Sequence, residues 1–249
     1  MTEEATTHFG FNNIPVAEKV VRVRHVFDSV SKRYDLMNDL MSLGIHRLWK
    51  RYAVHKMRLQ PNQRLLDVAS GTGDLARLMM RRMDDRGQVV LCDINGSMLQ
   101  QGRHKMTNIG MVAGMTWVQG NAESLPFPDH CFHAVTIGFG IRNVTHMEQA
   151  ITEMVRVLRP GGQFLCLEFS QLAIPWLQPL YDVYSFKVLP EIGQWVARDR
   201  AAYQYLVESI RRFPNQQQFS TLLSKNGLGQ VRYDNLSAGI AAIHTGYKV

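Results

Sequence analysis

The chain has 249 residues, of which 45% are hydrophobic, and a formal net charge of +7. This length and composition favour one large globular domain with an elaboration over two complete domains. Three widely separated cysteines argue against a disulfide framework and predict a reducing, cytoplasmic location, while the polar start and the lack of an 18-residue apolar run argue against a leader and a membrane span.

The first 57 residues are predicted to form an N-terminal helical region. Residues 1–15 are polar and are expected to be loose, whereas apolar residues between 16 and 57 recur at helical spacing. Between residues 18 and 58 the chain carries ten Lys or Arg against four Asp or Glu. Such a basic segment can meet anionic lipid or nucleic acid, and a solvated helix face is the alternative interpretation.

From residue 64 the chain alternates between strand and helix patterns, which predicts an α/β fold with a mostly parallel, Rossmann-like sheet. The predicted strands are 64–69, 87–95, 115–122, 131–140 and 162–170; the predicted helices are 74–83, 97–106 and 147–158, the second with Ser97 as its N-cap. An aromatic-rich insert over about 171–215 is predicted to be a helical cap over the substrate. A helix at 217–227 and a C-terminal antiparallel hairpin complete the expected domain of residues 58–249.

The stretch LLDVASGTGDLA, residues 65–76, predicts a strand that ends in a tight turn. Gly71 and Gly73 allow positive φ angles and a close approach of the backbone to a ligand. Because Asp93 follows about 20 residues later, the turn fits the dinucleotide fingerprint. Three features argue against NAD: Asp67 interrupts the strand, no Tyr-x-x-x-Lys follows the turn, and the last two strands form a hairpin.

This pattern of an acid inside the strand, the glycine turn, a second strand ending in an acid and the segment NAESLPF resembles the class I S-adenosylmethionine-dependent methyltransferases. The resemblance implies S-adenosylmethionine as the cofactor. Asp67 and the turn 71–73 would lie beside its cationic amino acid portion. Asp93 can accept both ribose hydroxyls, and Asn121 with Ala122 would lie under the adenine. Helix capping is the alternative role for the acids that flank the turn.

Further stretches make the chain similar to one family in this class, the ubiquinone/menaquinone biosynthesis C-methyltransferases. They are YDLMNDLMSLGIHRLWK (34–50), LLDVASGTGD (65–74), NAESLPFPD (121–129), GFGIRNV (138–144), RPGGQFLCLEFS (159–170), YSFKVLPEIG (184–193), YLVESIRRFP (205–214) and the final HTGYKV. The resemblance implies methylation of a ring carbon of a polyprenylated hydroquinone in menaquinone or ubiquinone biosynthesis. It also implies cofactor contacts at Thr72, Asp93, Asn121 with Ala122, and Gly138, where many relatives have Ser.

Methyl transfer to a ring carbon requires a phenolate, so the site must assist deprotonation and stabilise an oxyanion. Arg142 and Asn143 follow the fourth strand, where ligands of α/β sheets bind. Arginine stays protonated, so Arg142 is expected to stabilise the phenolate or to orient a water with Asn143. Pairing of Arg142 with a structural acid is the alternative. Tyr34 and His46 are second-rank candidates for contact with the quinol. The alternative is that both belong to a packed helix face.

No metal is expected, because the histidines of HCFH (130–133) have no carboxylate cluster beside them. The net positive charge leaves an RNA methyltransferase as the runner-up, although no Asn/Asp-Pro-Pro-aromatic motif follows the fourth strand and no nucleic-acid partner is expected. A cofactor-binding protein without catalysis is a third hypothesis. The expected partners are the quinol and the anionic inner face of the membrane, with peripheral attachment; homo-oligomers and contacts with other quinone-biosynthesis proteins are left open.

Overall fold

The computed structural model describes residues 6–30, 39, 42, 44–174, 176, 178–188, 190–191, 194 and 199–249. Two short strands, β1 (Thr6–Phe9) and β2 (Asn12–Pro15), form a hairpin that leads into helix α1 (Val16–Val30). The expectation of a loose segment is therefore wrong for residues 6–15. Ile14 is buried, and the ring of Phe9 stacks on Tyr205 at 4.2 Å between centroids, so packing on the domain orders the hairpin.

The remaining elements follow the predicted alternation. The strands are β3 (Arg64–Val68), β4 (Gln88–Asp93), β5 (Met115–Gln119), β6 (Phe132–Gly138), β7 (Leu158–Phe169), β8 (Leu228–Leu236) and β9 (Ala241–Lys248). The helices are α2 (His46–Lys56), α3 (Asp74–Arg82), α4 (Gly96–Asn108), α5 (Met147–Val157), α6 (Gln178–Val183), α7 (Arg200–Arg212) and α8 (Gln216–Lys225), with a π-helical turn at Tyr184–Val188 and 3₁₀ turns at Ile141–Asn143 and Ser237–Gly239.

The main sheet has the order β5-β4-β3-β6-β7-β9-β8. Strands β3 to β7 pair in parallel, while β9 runs antiparallel between β7 and β8. The predicted parallel sheet and C-terminal antiparallel hairpin are thus confirmed. Because the strand order reverses between β3 and β6, the carboxyl ends of these two strands open a crevice, where open α/β sheets bind ligands.

Two apolar layers cover the sheet. On one face α2, α3 and α7 contribute Trp49, Met79 and Leu206; on the other face α5 and α8 contribute Met154 and Phe219. Strand β3 is buried from Leu65 to Val68, as a strand covered on both faces should be. These layers fix the strand ends, and with them the loops that carry the candidate site.

One predicted helix start differs from the structure. Asn95, not Ser97, is the N-cap of α4, since its side chain accepts a hydrogen bond from the Met98 amide at 3.0 Å. Asn and Ser are both favourable N-cap residues. Because β4 ends at Asp93 and α4 begins at Gly96, the N-cap position falls on Asn95. Among the described residues, no helix is both long and apolar enough to span a membrane.

Candidate functional site

A cleft of about 810 Å³, open to solvent, lies at the carboxyl ends of β3, β4, β5 and β6. Of the residues singled out in the sequence, it brings together Gly71, Asp93, Asn121, Ala122 and Asn143. They come from four successive loops that are far apart in sequence. The parallel sheet therefore assembles the predicted nucleoside pocket and one predicted catalytic residue in a single place.

Asp93 organises the cleft through its backbone contacts. One carboxylate oxygen accepts the Gly71 amide at 2.8 Å and the other accepts the Asn95 amide, also at 2.8 Å. Asp93 is only 9% exposed, and burial raises its pKa, while these amides oppose the rise. Each carboxylate oxygen keeps acceptor capacity for a second donor, so the side chain can hold the turn and still receive hydroxyl groups.

The backbone around the cleft is tightly constrained. Ala69 and Phe139 follow β3 and β6 with φ angles of 49° and 57°, in the left-handed region that non-glycine residues rarely adopt. A Cβ on Gly140 would lie 2.5 Å from the Ala69 Cβ, so the two loops touch there. Strained residues of this kind cluster at ligand sites when packing holds them in place.

A smaller pocket adjoins the cleft and shares Ala69 and Phe139 with it. It brings together Asp67, Thr72 and Gly138 with Lys50. The predicted cofactor residues are thus divided between two connected pockets. Gly73 lines neither: with a φ of 82° it caps α3, and a Cβ there would lie 2.8 Å from Leu91, so its role is close packing.

Asp67 is buried at 1% exposure at the floor of the smaller pocket. Its Oδ1 accepts the Thr136 hydroxyl at 2.7 Å, but its Oδ2 is buried with no hydrogen-bond partner among the described residues. Burial raises the pKa of Asp67 to about 7, against the opposing effects of Thr136, Lys50 and the Ala76 amide. An orphaned carboxylate oxygen beside a pocket suits a cationic ligand group.

Two lysines bridge to Asp74 at the first turn of α3. Lys50 Nζ lies 2.8 Å from one carboxylate oxygen, and Lys105 Nζ lies 2.9 Å from the other. Burial alone would raise the pKa of Asp74, but the two ammonium groups hold it well below its usual range. His46 lies nearby and is 2% exposed; burial, and after it Lys50, lowers its pKa to about 4, so it is neutral at pH 7.

Arg142 lies behind the cleft, where its guanidinium pairs with Glu168 at 2.5 Å and donates to the Phe139 carbonyl at 2.7 Å. Arg142 is 7% and Glu168 1% exposed, and burial raises the pKa of Glu168 against the effect of Arg142. Arg142 lines a cavity with Lys19 and Tyr205, not the main cleft. The pairing with a structural acid, weighed as the alternative, is present in the structure.

Asn143, the last residue of the 3₁₀ turn Ile141–Asn143, lines the main cleft. The Tyr205 hydroxyl donates to its Oδ1 at 3.0 Å, which leaves the amide Nδ2 as a hydrogen-bond donor. Tyr205 is itself buried and fixed by stacking on Phe9. Tyr34, the third predicted catalytic residue, lies outside the described residues.

The sequence reasoning did not identify Lys50 and Tyr205 as parts of the site, and it also missed a wall of the cleft and a connection between two of its loops. Helix α1 forms a wall of the cleft with Arg24 and Phe27, and the side-chain Nδ2 of Asn95 donates to the Asp28 carboxylate at 2.8 Å. Glu123 ties the loop after β5 to the loop after β6, because its carboxylate accepts the amide of Thr145 at 2.9 Å. Glu123, the acid in NAESLPF, was a signal in the sequence for the connection between the loops. The position of α1 had no such signal, because helical periodicity does not show where a helix packs.

The described residues contain no group of three or more His, Cys, Asp or Glu arranged to hold a metal ion. His133 instead lies beside the backbone of Arg64, whose amide donates to its Nδ1 at 3.0 Å, and its other ring nitrogen lies 2.8 Å from Arg159. His130 lies beside Lys248 and the Leu158 carbonyl. Both histidines of HCFH thus contact neighbouring protein groups in the fold.

The chain was compared with known proteins. A model of the ubiE/COQ5 methyltransferase family matches residues 15–248. The chain is 53% identical over 244 residues to the ubiquinone/menaquinone biosynthesis C-methyltransferase UbiE of Xanthomonas campestris, covering 98% of this chain and 96% of that protein. It is 50% identical over 246 residues to UbiE of Legionella pneumophila, covering 99% and 98% respectively.

Among solved structures, a SAM-dependent methyltransferase from Thermotoga maritima matches with a TM-score of 0.63 at 18% identity, over 91% of this chain and 100% of that chain. This likeness confirms the predicted class I methyltransferase fold. The family match and both relatives extend over nearly the whole chain. The protein therefore belongs to the ubiE/COQ5 methyltransferase family.

Proposed function

We propose that the protein methylates a ring carbon of a polyprenylated hydroquinone in menaquinone or ubiquinone biosynthesis, with S-adenosylmethionine as the methyl donor. The near full-length relatives named for this reaction support the activity and do not favour the RNA methyltransferase alternative. The observation that carries the assignment of the cofactor is Asp93, a buried carboxylate that lines the cleft and is fixed by two amides.

The residues present fit the chemistry of this cofactor. Asp93 offers acceptors for a ribose diol, the 121–122 backbone offers a surface for adenine, and Asp67, whose Oδ2 has no hydrogen-bond partner among the described residues, lines a pocket that suits an ammonium group. Lys50, which also lines this pocket and pairs with Asp74, carries a charge that suits a carboxylate. When bound, S-adenosylmethionine supplies an electrophilic methyl group.

Asn143 is the residue best placed to act on the quinol. Because Tyr205 occupies its Oδ1, the amide Nδ2 can donate to a phenolic oxygen in the cleft. That donor becomes more valuable as the oxygen gains charge, which is the behaviour required to stabilise an oxyanion. We assign Tyr205 as its positioning residue, since a free amide could rotate and present the wrong atom.

Arg142 supports the turn that carries Asn143 from the side away from the main cleft. Its guanidinium and its backbone amide both engage Glu168, so the 3₁₀ turn that carries Asn143 is held against β7. Because Glu168 pairs with the guanidinium, the positive charge of Arg142 is compensated locally, and its contribution to the cleft is the position that it gives to Asn143. In this proposal Arg142 is a positioning residue, and no role as a base is required of it.

The decisive assay incubates the protein with labelled S-adenosylmethionine and either demethylmenaquinol or bulk RNA. Label is expected in the quinol alone. Asn143→Asp places a negative charge where the phenolate forms, and kcat should fall by about 10²-fold or more while cofactor affinity is kept. Tyr205→Phe should give a smaller loss of kcat without a change in cofactor affinity. Label in RNA, or normal turnover of Asn143→Asp, would contradict the proposal.

We further propose that the protein collects its quinol at an anionic membrane surface, since a polyprenyl tail stays in lipid. Helix α2 supports this view: Leu48 and Tyr52 are 59% and 41% exposed, and Arg47 and Arg51 lie exposed beside them. An apolar stripe flanked by basic residues is typical of helices that lie on a bilayer surface. Exposed Trp176 and Phe186, in the aromatic-rich insert, are candidates for contact with the tail.

Vesicle sedimentation tests the membrane proposal. Binding should rise with the fraction of anionic lipid, fall with added salt, and weaken several-fold in Leu48→Gln, because less apolar surface is buried. Val112→Gln is the matched control, since Val112 is 52% exposed and belongs to the loop between α4 and β5 rather than to α2. If the protein ignores anionic vesicles at low salt, with and without quinol in the bilayer, delivery by a partner protein is the better account.

A further inference from the structure

A second cleft, of about 700 Å³, is lined by residues of helices α2, α3 and α4. We call it the basic cleft. Five of its eight lining residues are Lys or Arg and one is an acid; the eight are His46, Arg47, Lys50, Arg51, Asp74, Arg77, Leu78 and Lys105. It touches the smaller cofactor pocket only through Lys50 and Asp74 and shares no residue with the main cleft. The proposed reaction gives it no role.

The acids around the basic cleft leave part of its positive charge uncompensated. Asp74 is shared by Lys50 and Lys105, and Arg47 pairs with Asp39 at 2.6 Å. Within the described part of the chain, neither Arg51 nor Arg77 has a carboxylate within 4 Å. Two guanidinium groups therefore face the cleft without an acidic partner there.

Arg77 lines the basic cleft with a guanidinium group whose hydrogen bonding is incomplete. Its Nε is buried, yet it has no hydrogen-bond acceptor among the described residues. A buried N–H of a charged group without an acceptor is costly, and native structures usually satisfy it with protein, water or a bound group. Because Nε is closed to solvent, an anion with several oxygens in the basic cleft would bind the other guanidinium nitrogens of Arg77, or Nε after a rotation of the side chain. Neutral His46, on the same wall, adds no charge at pH 7.

The ligand chemistry follows from the donors. Guanidinium groups bind phosphate oxygens in a fork geometry, and lysine adds a point charge. A single carboxylate would neutralise one of the unpaired arginines only. We propose that the basic cleft binds a phosphate group with two negative charges, either a free phosphate or the phosphomonoester head group of an anionic lipid, separately from the cofactor. This site stands whether or not α2 docks on membranes.

Titration of inorganic phosphate at low ionic strength, followed by calorimetry, tests the site. The double variant R51Q/R77Q should bind phosphate at least about tenfold more weakly, since two charge-assisted contacts are lost. R82Q is the matched control: Arg82 is an exposed arginine on the same helix but does not line the cleft. Cofactor affinity should be the same in both variants as in the unaltered protein, and a single cooperative thermal transition in each shows that the variants are folded.

Absence of saturable phosphate binding to the unaltered protein, or equal binding by R51Q/R77Q, would overturn the proposal. The source is distinguished with phosphatidylcholine vesicles that contain phosphatidate. If free phosphate displaces the protein from these vesicles and R77Q reduces their binding, a lipid head group is the ligand. If R77Q loses phosphate affinity but sediments normally with the vesicles, the site serves a free phosphate.

Discussion

Asp67 should make the stability of this protein depend on pH near neutrality. Burial raises its pKa from the ordinary value of 3.8 to about 7, so the folded state binds a proton more tightly than the unfolded state does. The contribution of Asp67 to stability is then complete below pH 3.8 and is lost as the pH rises through about 7. Because the side chain is 1% exposed, solvent screening takes little away from this effect.

The magnitude follows from linkage. With these two pKa values, the stability lost relative to low pH is about 2 kcal/mol at pH 5 and about 4 kcal/mol at pH 8. Asp67→Asn removes the titration but keeps an oxygen for the Thr136 hydroxyl. The variant should therefore gain roughly 2–3 kcal/mol relative to the unaltered protein between pH 5 and pH 8.

Urea unfolding at several pH values, with the free energies of unfolding compared at each pH, measures this gain. Other titrating groups are common to both proteins, so they largely cancel in the difference. Asp85→Asn is the control, because Asp85 is exposed and should show no such trend. A constant difference between Asp67→Asn and the unaltered protein over this range would refute the reasoning and indicate that Asp67 titrates like an exposed acid.

Three further predictions concern the site. Asp93→Asn should weaken S-adenosylmethionine binding by about 10- to 100-fold in calorimetry, because charge-assisted hydrogen bonds of about 1.5–3 kcal/mol are lost, and unchanged affinity in a folded variant would contradict the ribose assignment. Glu168→Gln should lower the free energy of unfolding by about 3–5 kcal/mol in urea by stranding buried Arg142, and Arg142→Met in the same chain should restore most of it. Gly138→Ser should lower the free energy of unfolding by about 1–3 kcal/mol, since a Cβ there would lie 2.5 Å from Leu75 Cδ1. Adding Leu75→Ala should relieve that strain, whereas full stability of the single variant would show that Leu75 moves freely.

The sequence pattern predicts the sheet well for a physical reason. Strands β3 and β6 are covered on both faces, so they appear as short apolar runs, and glycine turns mark their ends. The same reasoning places Asp93 and Asn121 correctly, because residues that follow parallel strands meet at one edge of the sheet. Local sequence and regular geometry are sufficient for these predictions.

Other features depend on packing between distant segments. The direction of the Arg142 side chain is set by Glu168, 26 residues away, and nothing in GFGIRNV indicates that Arg142 points away from the cleft while its neighbour faces it. A charged residue within the apolar run FLCLEF was the available signal for a buried partner. The hairpin of residues 6–15 is likewise too short and polar to be recognised without the tyrosine against which it packs.

The wall that helix α1 provides for the cofactor cleft has a thermodynamic consequence. Any ligand that contacts both Phe27 and the sheet loops binds better when α1 is docked, and by reciprocity it holds α1 in place with the same free energy. Protease cleavage within Val16–Val30 should then slow as the cofactor is added, in proportion to the saturation of the cleft. The N-terminal helix thus reports the occupancy of a site whose main residues lie 40 or more positions further along the chain.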